Sequence, residues 1–302
     1  MILSDTPILM LIFNRPETTF QVFEQIKKAH PQKLYISADG ARKNKQGEAE
    51  RCLEARSIAE KVDWQCDVKT NFSEVNLGCR RGVLKGINWF FENEEEGIII
   101  EDDVYPSESF FGFAGAMLEK YRNDKSVYHI GGVNFQDGIK RGDGSYYFSN
   151  LSHVWGWATW RDRWKKYLSP DGKDFSGFRN TISKQINIRG FAKYFAKKLK
   201  SVSDGTLDTW DYPWSYTVWA NSGKCIIPNF NLCRNLGFGA DSLHTKDADN
   251  KFASAPLENI DELIHPSDSS INTQADIYTF RSHIRGKFSY RLKLKLKSIF
   301  RK

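Results

Sequence analysis

The sequence predicts an α/β protein built on a mostly parallel, doubly wound β-sheet. Short apolar runs alternate with amphipathic, helix-like segments over the first part of the chain, which is the rhythm of β-α-β units. The run Gly97–Ile100 has no polar alternation, and such a strand is typical of a sheet covered by helices on both faces. With 302 residues, of which 40% are hydrophobic, the chain is long enough to bury a large core.

The first half contains four strand–helix pairs in sequence. Pro16 suits the first turn of the first helix, and Asp39-Gly40 and Asn76-Leu77-Gly78 mark turns after the second and third strands. The predicted strands cover residues 7–13, 33–38, 66–70 and 98–100, and the predicted helices cover a segment from Pro16 onward, 47–62, 80–92 and 107–121.

The regular alternation of strand-like and helix-like segments ends at about residue 126. Predicted elements there are strands at 127–130, 146–148 and 224–228, a helix whose start is formed by the tryptophan-rich stretch 153–164, helical structure over 170–205, a helix at 208–221 and a glycine-rich loop at 235–245. Because no repeat or low-complexity linker separates the halves, we expect one compact domain with two parts, 1–125 and 126–280, followed by a basic tail, 281–302.

Three carboxylates, Glu101, Asp102 and Asp103, directly follow the isoleucine-rich strand. Adjacent carboxylates at a buried strand end repel one another unless a cation, hydrogen-bond donors or water compensate their charge. Ligands of open α/β sheets bind at the carboxyl ends of the strands. The triplet therefore predicts a ligand site, and the alternative is an acidic turn in water.

Charge and cysteine content exclude several classes of function. The tail 281–302 carries nine Lys or Arg and no acid, so the rest of the +7 chain sums to −2, which disfavours nucleic-acid binding. The five cysteines form no Cys-x-x-Cys pair, so neither a disulfide framework nor a zinc site is expected, and reduced thiols favour the cytoplasm. We also expect neither a membrane-spanning segment nor a signal peptide.

Seven short motifs occur in the order found in nucleotide-sugar glycosyltransferases of the GT-A fold. They are Phe-Asn-Arg-Pro (13–16), Ser-Ala-Asp-Gly (37–40), Asn-Leu-Gly (76–78), Glu-Asp-Asp (101–103), Trp-Gly-Trp (155–157), Trp-Asp (210–211) and Gly-Phe-Gly (237–239). The chain resembles most the inverting N-acetylglucosaminyltransferase I type and its bacterial relatives. The resemblance implies a Rossmann-like mixed sheet flanked by helices, with a helical region on the acceptor side.

The resemblance also assigns roles around the donor. It implies a UDP-sugar, with UDP-GlcNAc among the candidates, and Mn²⁺ or Mg²⁺ on Asp103, which suits the oxygen preference of hard cations. Ribose would lie near Asp102 and the donor sugar at Glu101. Arg15, beside a helix N-terminus, suits a diphosphate, or is an ordinary surface arginine. Asp39 would accept the uracil N3–H, or belongs only to an Asp-Gly turn.

Asn76, Gly78 and Arg81 lie in a segment that borders the nucleotide in many GT-A enzymes, where small residues let the backbone approach the ligand. The animal enzyme has a histidine on this helix near the base, whereas this chain reads Arg-Arg-Gly-Val. The base of the donor is therefore less securely predicted than the use of a sugar nucleotide.

Further candidates lie in the second half. Trp157 belongs to an aromatic stripe, 157/160/164, which indicates either a core helix face or a surface that stacks on a sugar. His244 and Ser242 lie on the glycine-rich loop, and such loops often close over a donor. His244 is a candidate metal or diphosphate ligand, or an ordinary loop histidine.

An inverting transfer needs one general base to deprotonate the acceptor hydroxyl. Leu207–Trp214 offers two carboxylates, and the Trp-Asp motif favours Asp211 as the base, with Asp208 in reserve. Because Pro213 suits a first helical turn, Asp211 is alternatively a helix N-cap.

The sequence thus predicts a metal-dependent inverting glycosyltransferase that moves a sugar to a hydroxyl of a glycan or lipid-linked saccharide. The alternating Leu/Lys tail 281–302 is either a solubilising tail or a segment that adsorbs to an anionic membrane, at about 1 kcal/mol per basic residue. We expect a cytoplasmic protein at the inner face of a bacterial membrane, in surface polysaccharide or lipopolysaccharide synthesis. The rivals are a retaining transferase or nucleotidyltransferase of the same fold and a non-catalytic membrane scaffold.

Overall fold

A mixed sheet of eight strands runs through the protein in a computed structural model, which describes residues 5–170, 175–237 and 255–285. The described strands are β1 (Ile8–Ile12), β2 (Lys33–Ala38), β3 (Asp67–Phe72), β4 (Glu96–Glu101), β5 (Val104–Pro106), β6 (Val127–Gly131), β7 (Tyr146–Ser149), β8 (Trp157–Trp160), β9 (Lys224–Pro228) and β10 (Cys233–Asn235). The sheet order is β3-β2-β1-β4-β8-β6-β9-β7, and β5 pairs separately with β10.

Most strand pairs in the large sheet are parallel. β1 pairs in parallel with both β2 and β4, β2 with β3, and β6 with β9. β8 and β7 run antiparallel to their neighbours. This mixed, mostly parallel α/β sheet confirms the predicted fold class and is consistent with a Rossmann-like GT-A domain.

Helices cover both faces of the sheet. They are α1 (Pro16–Ala29), α2 (Glu48–Arg56), α3 (Cys79–Asn93), α4 (Glu108–Tyr121), α5 (Arg161–Trp164), α6 (Phe175–Gln185), α7 (Phe191–Ser203), α8 (Asp211–Ala220) and α9 (Thr273–Thr279), with a 3₁₀ turn at Ser57–Lys61 and a π turn at Phe280–Ile284. Side chains of α1 and α4 pack in one apolar cluster, and those of α3, α6, α7 and α8 pack in a second.

The central strands divide their side chains between these two clusters. In β4, Ile98 and Ile100 belong to the first cluster and Ile99 to the second, because successive side chains of a strand point to opposite faces. All three are fully buried, and each such burial stabilises the fold by about 1.5–3 kcal/mol. The end of β4 is therefore fixed in the middle of the sheet.

One predicted feature of the second half is wrong. The stretch 153–164 does not start a helix: Trp157–Trp160 forms strand β8, between β4 and β6, and the helix begins only at Arg161. Trp157 joins the second cluster and Trp160 the first, so this segment has the alternation of a strand rather than a helical stripe. The helical structure predicted over 170–205 is present as two separate helices, α6 and α7.

Some predictions lie wholly or partly outside the described residues. The loop with Ser242 and His244 is outside them, and of the tail only 281–285 is described. Across the described part of the chain, no helix is both long and apolar enough to cross a membrane.

Candidate active site

The acidic triplet lies where β4 ends. Glu101 is the last residue of the strand, and Asp102 and Asp103 form the turn before β5. The alternation of side-chain directions along the strand therefore ends at Glu101. The backbone N–H of Phe13, just after β1, donates to Oδ2 of Asp102 at 2.9 Å. This bond ties the buried Asp102 to the end of the neighbouring strand.

Arg15 brings a positive charge to the triplet. It precedes α1, and its Nη1 lies 2.5 Å from Oδ2 of Asp103 and 3.6 Å from Oδ1 of Asp102. Burial opposes the charged guanidinium, but the attraction of the carboxylates dominates and raises the pKa of Arg15 above its ordinary value. The strand ends of β1 and β4 thus hold opposite charges in contact.

One guanidinium leaves the cluster with excess negative charge. Burial, followed by repulsion from Asp103 and Asp102, raises the pKa of Glu101 above its ordinary value. Burial also raises the pKa of Asp102, although Arg15 opposes this shift. A buried group of this kind takes up a proton or accepts a cation, so the electrostatics favour a positively charged ligand here.

Asp211 faces the triplet from the other half of the chain. It is the first residue of α8, and its Oδ1 accepts a hydrogen bond from Oγ1 of Thr209 at 2.5 Å. Its charge contributes to the raised pKa of Glu101 and, with Asp208, to that of the Cys79 thiol, which burial raises to about 12. Asp211 therefore lies close to the end of β4.

Asp208 has a different position from Asp211. Its carboxylate accepts hydrogen bonds from the backbone N–H groups of Cys79 at 2.8 Å and Arg80 at 3.1 Å. These are free donors of the first turn of α3, so Asp208 caps that helix from a distant part of the chain. Gly78 makes room for it, because a Cβ at Gly78 would lie 2.7 Å from Oδ2 of Asp208.

Asp39 organises the turn before α3. Its two oxygens accept hydrogen bonds from the backbone of Gly40, Leu77 and Gly78 and from the side chain of Asn76, at 2.9–3.1 Å. A carboxylate has about four acceptor positions, and these bonds use them. The predicted contact of Asp39 with a base stays a prediction, and in this structure the residue holds the 76–78 turn.

Gly237 borders Asp103. It belongs to the Gly-Phe-Gly motif but is not among the site residues predicted from the sequence. The β5–β10 pair brings Leu236 to Asp103, and the Leu236 N–H donates to the Asp103 carbonyl at 2.6 Å. A Cβ at Gly237 would overlap the Asp103 carboxylate. Asn235 fixes this turn by accepting the Gly237 N–H at 2.6 Å. The signal in the sequence is the Asn-x-Gly pattern at the start of the glycine-rich loop.

Two further predicted contact residues, Trp157 and Arg81, differ in their exposure. Trp157 is fully buried, with its ring centroid 5.4 Å from that of Trp210 and 5.3 Å from that of His129. The predicted sugar contact of Trp157 is thus corrected to a core role, because no ligand reaches a fully buried ring. Arg81 is exposed on α3, so its predicted contact with substrate stays untested.

The donor set fits a cation that arrives with a phosphorylated ligand. Within residues 5–170, 175–237 and 255–285, no three His, Cys, Asp or Glu side chains form a ready-made metal cage. Mg²⁺ and similar cations are usually bound by one or two carboxylates together with substrate phosphates, so a cage is not required. Asp103, at the rim of an acidic cluster, can supply such a carboxylate.

No family model and no curated protein matches this sequence. Solved structures with partial similarity include S. aureus TarS 1-349, at 13% identity and a TM-score of 0.35, covering 53% of this chain and 48% of that one. HddC from Yersinia pseudotuberculosis has 10% identity, a TM-score of 0.33 and coverage of 54% and 80%. UDP-glucose pyrophosphorylase complexed with UDP-glucose has 10% identity, a TM-score of 0.38 and coverage of 75% and 93%.

The chain therefore matches about half the length of the TarS structure. At these TM-scores the similarity concerns parts of the fold and carries no argument about activity. The functional assignment depends on the site itself.

Proposed function

We propose that this protein is a metal-dependent inverting glycosyltransferase that uses a nucleoside diphosphate sugar, with a UDP-sugar favoured. The observation that carries the proposal is that Arg15 contacts Asp102 and Asp103, while Asp211 of α8 lies within electrostatic range of Glu101. A cationic group, a candidate metal ligand and a candidate general base then lie around one position. These are the groups that a transfer from a diphosphate leaving group requires.

On the donor side, Arg15 would bind the diphosphate and Asp103 would hold Mn²⁺ or Mg²⁺. A bound divalent cation would neutralise charge that develops on the leaving diphosphate. Asp102 would contact the ribose, while Asp39, through the turn 76–78, would shape the nucleotide pocket. Gly237 leaves the space beside Asp103 that such a ligand needs.

On the acceptor side, Asp211 would take the proton from the acceptor hydroxyl as its oxygen attacks the anomeric carbon. The new carbon–oxygen bond forms as the bond to the diphosphate breaks, and the nucleoside diphosphate leaves with inversion. Thr209 orients the Asp211 carboxylate. Glu101 would contact the donor sugar. Since Asp208 already binds two backbone N–H groups, Asp211 is the better candidate for the base.

The acceptor in this proposal is a hydroxyl of a glycan or lipid-linked saccharide, in the synthesis of a bacterial surface polysaccharide or lipopolysaccharide. Membrane contact through the basic tail 281–302 is part of the same proposal and depends on its charge. A retaining transfer would give a product with the anomeric configuration of the donor, so NMR of the product separates the two mechanisms.

The test is calorimetric titration with UDP, with and without Mn²⁺. We expect metal-dependent binding to the unmodified protein, and its loss in Asp103→Ala. Asp63→Ala is the matched control, because Asp63 is an exposed carboxylate that pairs with Lys27 away from the site. Binding that is equal without metal, or equal in Asp103→Ala, would contradict the proposed metal role. Titration with GDP, CMP and dTDP tests the choice of base.

A further inference from the structure

A strongly basic segment at the surface of the molecule is not used by the proposed reaction. It consists of α6, α7 and their connection, residues 175–203, which we call the basic helical pair. This segment contains seven Lys or Arg and no Asp or Glu. With seven cations here and nine in the tail, the remaining residues of the +7 chain sum to −9. Within residues 1–280, this segment therefore has a net charge of +7, whereas the remaining residues have a net charge of −9.

The cations of the pair point to solvent. Five of them are exposed and form no ion pair with another residue in the described part of the chain: Arg179, Lys184, Arg189, Lys193 and Lys197. Lys200 differs, because it pairs with Asp204. Like charges so close together repel one another, and no acidic side chain of the pair offsets that repulsion.

The other face of the pair is already used by the core. It packs into the second apolar cluster through buried side chains: Phe178, Ile182, Phe191, Phe195 and Leu199. The large hydrophobic side chains that are exposed among the described residues all lie elsewhere, at Leu53, Val75, Ile139 and Ile264. The pair therefore presents charge without an apolar or aromatic surface for insertion or base stacking.

The basic tail begins beside this pair. Phe280 packs on Phe191, with ring centroids 5.0 Å apart, and a Cβ at Gly190 would lie 3.0 Å from Nη1 of Arg285. Arg285 is the last described residue, and the sequence after it is basic. The basic tail thus begins next to the N-terminal end of α7.

We propose that the basic helical pair is a docking surface for the anionic phospholipid headgroups of a membrane. A 13-residue helix such as α7 is about 20 Å long, so the cations of the pair are spread along an extended surface. Separate lysines and arginines on such a surface suit a plane of phosphate groups, and adsorption would be electrostatic. Because the pair packs on α8, docking would bring the helix that begins with Asp211 close to the membrane.

The test is sedimentation of the full-length protein with vesicles of equal parts phosphatidylcholine and phosphatidylglycerol. Four neutralising substitutions are combined in one variant: Lys184→Gln, Arg189→Gln, Lys193→Gln and Lys197→Gln. The control variant removes the same charge from exposed lysines outside the pair: Lys45→Gln, Lys61→Gln, Lys120→Gln and Lys140→Gln. A third variant exchanges Lys and Arg at the first four positions and keeps their charge.

Each basic residue near an anionic surface strengthens partitioning about fivefold, so we expect the first variant to bind at least about tenfold more weakly. The control and the charge-keeping variant should bind like the unmodified protein. Equal binding by the first variant would overturn the proposal and assign adsorption to the tail alone. Equal loss in the control, or equal binding to pure phosphatidylcholine, would overturn it as well. UDP titration of the same proteins reports on the donor site separately.

Discussion

Asp211 and Asp208 are separated by two residues, yet their surroundings give them different tasks. Asp211 faces the end of β4, whereas Asp208 binds backbone N–H groups of α3. From their positions in the sequence alone, both carboxylates are possible general bases. Only the fold separates the candidate base from the helix cap.

Replacing Asp211 with Asn should lower turnover by about 10²–10⁴-fold, because the amide cannot take a proton from the acceptor hydroxyl. UDP binding in the presence of Mn²⁺ should be unchanged. The measurement is UDP release with a donor sugar and acceptor, beside calorimetry. Asp261→Asn, at an exposed position, is the control. Undiminished turnover in Asp211→Asn would remove this residue from the mechanism.

Gly237 is a second residue whose change has a defined consequence. In Gly237→Ala the new methyl group would overlap the Asp103 carboxylate, so one of the two must move. We expect metal-dependent UDP binding to weaken at least tenfold, as measured by calorimetry. Gly177→Ala, where a Cβ meets open space on α6, should bind UDP normally and be more stable by about 0.5–1 kcal/mol. Normal UDP binding by Gly237→Ala would show that this space is not needed.

At the scale of elements, Asp208 fastens the segment before α8 to the start of α3. Asp208→Ala should lower the free energy of unfolding by about 1 kcal/mol, the usual cost of losing a helix cap. Asp208→Asn keeps one acceptor oxygen and should lose less. Urea unfolding measures both. If Asp208 were instead the catalytic base, its Asn variant would be stable but inactive, and Asp211→Asn would remain active.

The elements of the first half could be predicted well from the sequence because they are local. Strand β2 is predicted to the residue, and the helix that became α3 differs by one residue at each end. β5 and β10 were missed, since each has three residues and its partner is far away in the chain. The segment of β8 is predicted as helix because Trp157, Trp160 and Trp164 recur at the spacing of a helix face.

The site was predictable in its residue types but not in its contacts. The triplet 101–103 and Arg15 stood out because charges follow apolar strands at the ligand-binding edge of the sheet. The bonds of Asp39 to residues 76–78, and those of Asp208 to α3, link segments whose pairing no local pattern encodes. Trp157 could not be separated from a surface tryptophan until β8 placed it in the core.

At the scale of the whole molecule, two buried histidines make stability depend on pH. His129 donates from Nε2 to the His153 carbonyl at 3.0 Å and accepts from Nε1 of Trp214 at Nδ1, so its neutral form uses both ring nitrogens. Burial lowers the pKa of His129 to about 3, and burial with the charges of His129 and His283 lowers that of His153 to about 3. Both rings stay neutral in the folded protein at moderately acidic pH.

We therefore expect these two histidines to contribute a loss of stability below about pH 6.5, where the unfolded chain binds protons at these rings and the folded protein does not. Glu101 and Asp102 act in the opposite direction, because their raised pKa values make the folded protein bind protons first as the pH falls. The free energy of unfolding falls by up to about 1.4 kcal/mol per pH unit for each histidine. This decrease stops when the pH reaches the pKa of the histidine in the folded protein. Urea unfolding between about pH 7 and pH 5 measures the slope. His129→Gln should be less stable, but it should lose less stability between about pH 7 and pH 5 than the unmodified protein loses, whereas His30→Asn, at an exposed position, should follow the unmodified protein. An unchanged slope in His129→Gln would contradict this account.

The central position of β4 affects the order in which the protein loses nucleotide binding and sugar transfer as it is destabilised. β4 is hydrogen-bonded on both sides, to β1 and to β8, whereas Asp211 is the first residue of α8, and the end of a helix opens more easily than a central strand. Amide protons of Ile99 and Ile100 should exchange with solvent only through global opening, and those near Asp211 through smaller local fluctuations. Mild denaturant or warming would then abolish sugar transfer while the protein still binds the nucleotide. Loss of activity would therefore precede global unfolding.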